Sequence, residues 1–407
     1  MIMQVLHERC CGIDVHKKML AVCFKAGNNQ ELREYGTLTK DLKELANWLI
    51  GQGCQKVAME STGSYWKPVY NVLELLGLNI IVVNAQHMKA VPGRKTDMKD
   101  AEWIADLLQH GLLKASFIPD RNQRELREVT RYRKSLVEER AREVNRLSKT
   151  LEGCNIKLSS FVTHITGMSS RNLISAAMQG DITEELIEAV TIGKVKEKKE
   201  ELVHAMDGVL SPIQKKLIAA ILDHIDDMTK RIDDVDTIIN GEMRQYEDAI
   251  RALDEIPGIG KQSAEVILAE IGLDMNRFPS AAHLASWAGI CPGNYESAGK
   301  RKSGRTNKGN PTLKTTLVQC AKTAVKKKDT FFRAQYERLS PRRGGNRASV
   351  AVAHSMLIAI YHILKYNQPF VDLGRDYYHQ FNPEKKINSY LKKLSELGWQ
   401  PPVTTVS

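Results

Sequence analysis

The chain has 407 residues, of which 42% are hydrophobic and 26% charged, and it carries a net charge of +11. That length exceeds one ordinary core and predicts two or three domains, while the balance is that of a globular rather than a disordered chain. Seven cysteines without a CxxC pair supply neither a zinc site nor a disulfide framework, so plain thiols in a reducing cytoplasm are expected.

Residues 10 to about 118 alternate strand and helix signals. CCGIDVHKKMLAVCFKA reads as two strands joined near His16–Lys18, and LREYGTLT as a third. DLKELANWLIGQG has helical spacing and a glycine stop, followed by strand QKVAME, helix YWKPVYNVLELLG, strand LNIIVVNA and helix DMKDAEWIADLLQHGLL. The order β-β-β-α-β-α-β-α is that of a ribonuclease-H-like core. From Asp120 to Leu151 one long helix is predicted, and a second from about Ile213 to Met243, where Leu217, Ile221, Ile225, Met228, Ile232, Val235 and Ile239 step by three or four. These two helices predict either a dimerising coiled-coil arm or two helices packed together within one chain. Residues 155 to 212 read as helical without chemistry. A compact helical domain starts at Ile256, with Asn310–Pro311 as the cap and first residue of a helix. SPRRGGNR reads as a basic turn and INSYLKKLSEL as a short final helix. The apolar run Val350–Leu364 is broken by two histidines and a serine, so it reads as a buried helix rather than a membrane span. The N-terminus lacks the layout of a signal peptide.

Four carboxylates fall in elements that such a core brings to one end of its sheet. Asp14 lies in a strand, where aspartate is disfavoured, and Glu60 ends another. Asp97 and Asp100 are three apart at a helix start and therefore share a face. Singly, each reads as a turn, strand-end or helix-dipole residue. Together they predict a site for hard divalent cations, Mg²⁺ or Mn²⁺, which clamp attacking and leaving oxygens in phosphoryl transfer. Glu102 and Asp106 read as surface residues.

The positive charge is concentrated. Lys300 to Arg347, less than an eighth of the chain, holds fifteen Lys or Arg against two acids, and the remainder is close to neutral. Such a segment predicts a polyanion partner. IPGIGKQSAEVILAEIG has the form of a helix-hairpin-helix, in which Gly258 and Gly260 let backbone N–H groups and Lys261 approach a phosphate at a helix N-terminus. An ordinary helical corner is the plainer alternative.

GIDVHK, AMESTGSYW, GRKTDMKDAEWIADLL, IPGIGKQSAEVILAEIG and LASWAGICPGNYESAGKRKSGRTNKGNP together resemble the insertion-sequence 110 family of transposases, over about Cys11 to Tyr378. The resemblance implies an α/β plus all-α chain. Its parts would be a RuvC-like DEDD domain over 1–118, a helical coiled-coil region over 119–250, a serine transposase domain over 251–380 and a tail over 381–407. It places the tetrad on Asp14, Glu60, Asp97 and Asp100, and the essential serine on Ser297 in preference to Ser303. It further implies donor and target DNA, a non-coding bridge RNA that pairs with both, a dimer of dimers with composite sites, and a bacterial cytoplasmic, nucleoid-associated location with no membrane role. A serine hydroxyl needs activation. Lys300, Arg301, Lys302, Arg305 and Lys308, with Arg342 and Arg343, would hold the phosphates. The competing readings are an endonuclease in which the tetrad activates water, and a non-catalytic nucleic-acid-binding protein.

Overall fold

The computed structural model describes residues 5–61, 63–83, 97–180, 182–191, 197, 199–292, 295–297, 300–303, 305–379 and 383–399. The chain forms two compact units, residues 1–121 and 122–407.

In the first unit β1 (Arg9–Val15), β2 (Met19–Ala26), β3 (Asn29–Gly36), β4 (Lys56–Glu60) and β5 (Ile80–Val83) form one mixed sheet in the order β3-β2-β1-β4-β5. β1, β4 and β5 run parallel, and β2 is antiparallel to both of its neighbours. Side chains alternate across the sheet. Cys11, Ile13 and Val15 of β1 enter a core with Leu42, Leu45 and Leu49 of α1 (Thr39–Gly51) and Val69 and Leu73 of α2 (Trp66–Leu75). Each such leucine or isoleucine contributes about 1.5–3 kcal/mol on burial. The opposite face is covered by α3 (Asp97–Gln109), whose Ile104 and Leu108 meet Cys10 and Ala58, and whose Ala101 and Ala105 meet Ala21 and Cys23. β3 lies three residues earlier than LREYGTLT suggested. The register Ala26↔Asn29 fixes it through a two-residue turn, and its exposed, polar first half carries no hydrophobic signal.

The second unit opens with α4 (Arg121–Gly153), which pairs with α8 (Pro212–Glu242) inside one chain. Arg133 binds Asp236, Arg140 Nε donates to Thr229 Oγ1 at 2.7 Å, and His224 Nδ1 stands 3.8 Å from Glu143 Oε1. As the α4 number rises the α8 number falls, so the pair is antiparallel. The buried seam of α8 is Ile218, Ile221, Ile225, Met228, Ile232, Val235 and Ile239, whereas Leu217 is exposed. Ser211 and Gln214 form a capping box that starts this helix. At the far end of the pair, α5 (Met168–Gln179), α6 (Glu184–Val190) and α7 (Lys199–Met206) enclose a separate core of Leu147, Leu151, Leu173, Ile187, Leu202 and Ile221.

The chain then returns through α9 (Glu247–Asp254), α10 (Lys261–Ile271), α11 (Ala281–Trp287), a ribbon of β6 (Tyr295–Ser297) and β7 (Lys300–Ser303), α12 (Pro311–Ala324), α13 (Phe331–Arg343), α14 (Gly345–Tyr366) and α15 (Pro383–Glu396). Asn310 Oδ1 caps α12 by accepting from Leu313 N at 3.1 Å, as Asn-Pro predicts. SPRRGG is not wholly a turn: α13 continues through Pro341 to Arg343 and stops at Gly344, whose φ is +80°. α14 is long and apolar enough to cross a membrane, but half of that stretch is buried, with Ala348, Val352, Met356 and Ile360 inside the unit.

Candidate active site

β1 and β4 lie side by side in the register Gly12↔Ala58 and Ile13↔Met59, so the next step along both strands brings Asp14 beside Glu60. Asp14 is on the α3 face, two residues beyond Gly12. A Cβ at Gly12 would sit 2.4 Å from both the Ala101 carbonyl oxygen and the Ala105 nitrogen. Only glycine allows α3 to rest on the backbone of β1, and this contact carries the first turn of α3, with Asp100, towards Asp14. The consequence is electrostatic. Burial raises the Asp14 pKa, and the charges of Asp100 and Glu60 raise it further. His16, with Nε2 3.0 Å from Asp14 Oδ2, opposes that rise.

Asp100 and Glu60, two of the other three predicted carboxylates, are thus near enough to act on Asp14 at the ends of β1 and β4. The side chain of the fourth, Asp97, lies outside the described residues; its backbone begins α3. Among the described residues, no three His, Cys, Asp or Glu side chains are drawn together closely enough to hold a metal ion. The donor set itself is all oxygen and negatively charged, and it fits a hard divalent cation, whose charge would relieve the repulsion on Asp14. Asp106 is not part of this set, because it pairs with Lys25. His16 escaped the sequence reading, although the signal was present: in an extended strand, residues two apart share a face.

Ser297 is the last residue of β6 and pairs with Lys300 at the end of a two-stranded antiparallel ribbon. Ser303 is at the other end of β7, opposite Tyr295. Pro292 and Thr306 form a bridge that continues the pairing towards the base, where Asn307 N donates to Cys291 O at 3.4 Å. The side chains of Ser297, Lys300, Arg301 and Lys302 lie outside the described residues. Arg305 and Lys308, on the returning segment, are exposed, as are Arg342 and Arg343 in the last turn of α13.

The two glycines of the predicted hairpin differ. Gly258 has a φ of +87° and is pressed against α12: a Cβ there would lie 2.4 Å from the Cys320 carbonyl oxygen and 2.6 Å from the Ala324 nitrogen. Gly260 caps α10 and is exposed, with no atom closer than Asp254 Oδ1 at 4.0 Å from its notional Cβ. Lys261, also exposed, donates to Asn240 Oδ1 at 2.7 Å. Close packing thus accounts for Gly258, and the open backbone at this corner belongs to Gly260.

A mixed sheet with carboxylates at the ends of two central strands, followed by a largely helical unit, is an arrangement consistent with a DEDD nuclease-like domain joined to a second, helical domain. Residues 11–156 match the transposase family DEDD_Tnp_IS110, and residues 250–337 match the family described as Transposase IS116/IS110/IS902. The chain belongs to the IS110 family of transposases. It is 26% identical over 281 residues to the insertion element IS116 uncharacterized 44.8 kDa protein of Streptomyces clavuligerus, covering 61% of this chain and 69% of that protein. It is 22% identical over 274 residues to the transposase for insertion sequence element IS1328 of Yersinia enterocolitica, covering 67% and 71%. A shorter match, 29% identical over 118 residues, is to the pilin gene-inverting protein of Moraxella bovis and covers 28% of this chain and 36% of that one.

Proposed function

We propose that this transposase breaks and rejoins DNA through a covalent Ser297–phosphodiester intermediate, with Asp14, Glu60, Asp97 and Asp100 holding Mg²⁺ and a bridge RNA choosing the donor and target sites. The observation that carries this reading is the placement of Asp14 beside Glu60 by the β1–β4 register, with the helix bearing Asp100 seated on Gly12, in a unit whose strand order suits a ribonuclease-H-like nuclease. Bound there, a divalent cation would supply positive charge to the phosphate and to the oxygens entering and leaving it.

In the covalent step the Ser297 Oγ–P bond forms and one P–O bond to a deoxyribose breaks. The hydroxyl proton passes to the departing sugar oxygen. In the reverse direction a new sugar hydroxyl attacks phosphorus and Ser297 is regenerated, so the phosphoester energy is conserved and no nucleotide triphosphate is consumed. The ribbon offers Lys300, Arg301 and Lys302 beside the serine in sequence, with Arg305 and Lys308 just beyond, for contacts to the phosphates. Gly260 and Lys261 at the open helical corner, together with Arg342 and Arg343, would grip the backbone elsewhere. Gly258 fits a supporting role in shaping that corner. The bridge RNA and the dimer of dimers rest on the family resemblance. Because the apolar seam of the α4–α8 arm is filled within its own chain, an arm-mediated dimer would use the outer faces of these helices.

The test uses labelled DNA carrying the element's ends, Mg²⁺ and RNA transcribed from the flanking non-coding segment. The wild-type protein is expected to form a denaturant-resistant protein–DNA adduct, and Ser297→Ala to abolish it, with joining reduced roughly 10⁴–10⁶-fold. Strand nicking that persists at the wild-type rate in Ser297→Ala would establish the water-activating nuclease instead.

A further inference from the structure

Glu270 lies in the last turn of α10 and is fully buried, yet the proposed chemistry leaves it without a role. A buried carboxylate is costly unless charged donors surround it. Arg131 grips this one with two parallel bonds, Nε to Oε1 at 2.7 Å and Nη2 to Oε2 at 2.8 Å. Arg127 Nε stands 3.4 Å from Oε2, and Asn310 Nδ2 donates to the same oxygen at 2.6 Å. Both arginines belong to the first turns of α4. Arg127 also donates to the main-chain carbonyls of Ala269 and Glu270, and Gln123 Nε2 to that of Ala269 at 3.1 Å. The start of α4 is thereby fastened to the end of α10.

Asn310 extends this fastening to the serine ribbon. Its Oδ1 caps α12 while its Nδ2 binds Glu270, so one amide fixes both a helix start and a carboxylate. The ribbon is rooted immediately before it, at the Pro292–Thr306 bridge and the Cys291–Asn307 hydrogen bond, and Lys314 Nζ of α12 donates to Thr306 Oγ1. A buried ion network of this kind adds little to stability over well-packed apolar groups, but its bonds are directional and set position. We infer that Glu270 is a positioning residue for the serine ribbon: held by Arg127 and Arg131, it fixes through Asn310 where the root of β6–β7 stands against α4. The inference rests on the reading of Ser297 as nucleophile. It gives α4, the helix that follows the carboxylate-bearing unit in sequence, a direct hold on the ribbon's base.

Asn310→Ser keeps a capping hydroxyl but removes the amide that reaches Glu270. Asn310→Asp keeps the cap and sets a carboxylate against Glu270. Adding Glu270→Gln removes that repulsion and lets the new side-chain amide donate to the new carboxylate. Oε1 still accepts from Arg131, while the Oε2 contacts to Arg131 and Arg127 are given up, so recovery is partial. The full-length proteins, with Mg²⁺, end DNA and the flanking transcript, are compared for single-turnover adduct formation, DNA affinity and thermal melting. Adduct formation is expected to fall roughly tenfold in Asn310→Ser and up to about a hundredfold in Asn310→Asp, while DNA affinity stays within about twofold and melting remains cooperative. The Asn310→Asp/Glu270→Gln pair is expected to recover about tenfold over Asn310→Asp, a coupling that an independent structural defect would not give. Adduct rates within about twofold of wild type in both single variants, or no recovery in the pair, would overturn the positioning role. An adduct that survives Ser297→Ala overturns the nucleophile assignment and this inference with it. An adduct lost in Ser297→Ala but unchanged in both Asn310 variants overturns this inference alone.

Discussion

The carboxylates and the serine stand on supports of very different stiffness. Asp14 belongs to a central strand paired on both sides, with helices on both faces and buried neighbours Ile13 and Val15. Ser297 ends a three-residue strand that has a single pairing partner. An isolated two-stranded ribbon is marginal by itself, whereas a covered sheet holds side chains within a fraction of an ångström. The contrast suits the two tasks proposed for them. Charges that repel one another must be held by the fold, while a nucleophile that meets a long polymer gains from an accessible, adjustable mount.

The sharpest way to break this comparison is at its stiff end. Asp14→Asn should lower strand cleavage by about three orders of magnitude, comparable to the loss of one preorganised electrostatic group, with DNA binding by the basic unit retained in a gel-shift assay. Gly12→Ala tests the support rather than the site. Its Cβ must displace α3, costing about 1–3 kcal/mol, and the shift of Asp100 should depress cleavage well beyond the effect on melting. At the helical corner, Gly258→Ala should destabilise by a similar amount through its collision with α12. Lys261→Ala should leave denaturant midpoints nearly unchanged, lower DNA affinity modestly and weaken its salt dependence.

The smallest effect is a pH dependence. Because the folded-state pKa of Asp14 is raised, its ionisation opposes folding. The stability it contributes is complete below its ordinary value and is lost as pH rises through the folded value. Metal-free Asp14→Asn should therefore melt slightly higher than wild type at neutral pH, and the advantage should vanish in acid, as read by calorimetry in chelator. Adding Mg²⁺ should raise the wild-type transition and leave that of the variant in place.

Much of this was legible because periodicity and burial coincide. Cys11, Ile13 and Val15 alternate with Cys10 and Gly12 and announce a strand covered on both faces, and the seam of α8 repeats at helical spacing. Apolar spacing alone leaves the α4–α8 partnership open, because it gives a face without naming what covers it; charge pairs such as Arg133–Asp236 decide that. Gly258 invited a phosphate reading because glycine at a turn and glycine under a packed helix look alike in one dimension. Glu270 was invisible for a related reason. Its arginines are some 140 positions away in the chain, and nothing local marks a glutamate in VILAEIG as buried. His16 could have been found from its spacing to Asp14 alone.

The antiparallel return of α8 along α4 has one more consequence. The 33-residue α4 reaches about 50 Å at the helical rise, yet the chain comes back beside its starting point, where Arg133 meets Asp236 and Lys261 meets Asn240. The excursion is topologically a stalk with adjoining feet and a small knob of its own at the tip. Its length can therefore vary within this unit: matched segments of whole helical repeats, which keep the seam in register, would lengthen or shorten both helices and leave the Glu270 contacts at the feet in place. Selection could therefore change the reach of the knob at the tip while the clamp around Glu270 stays as it is.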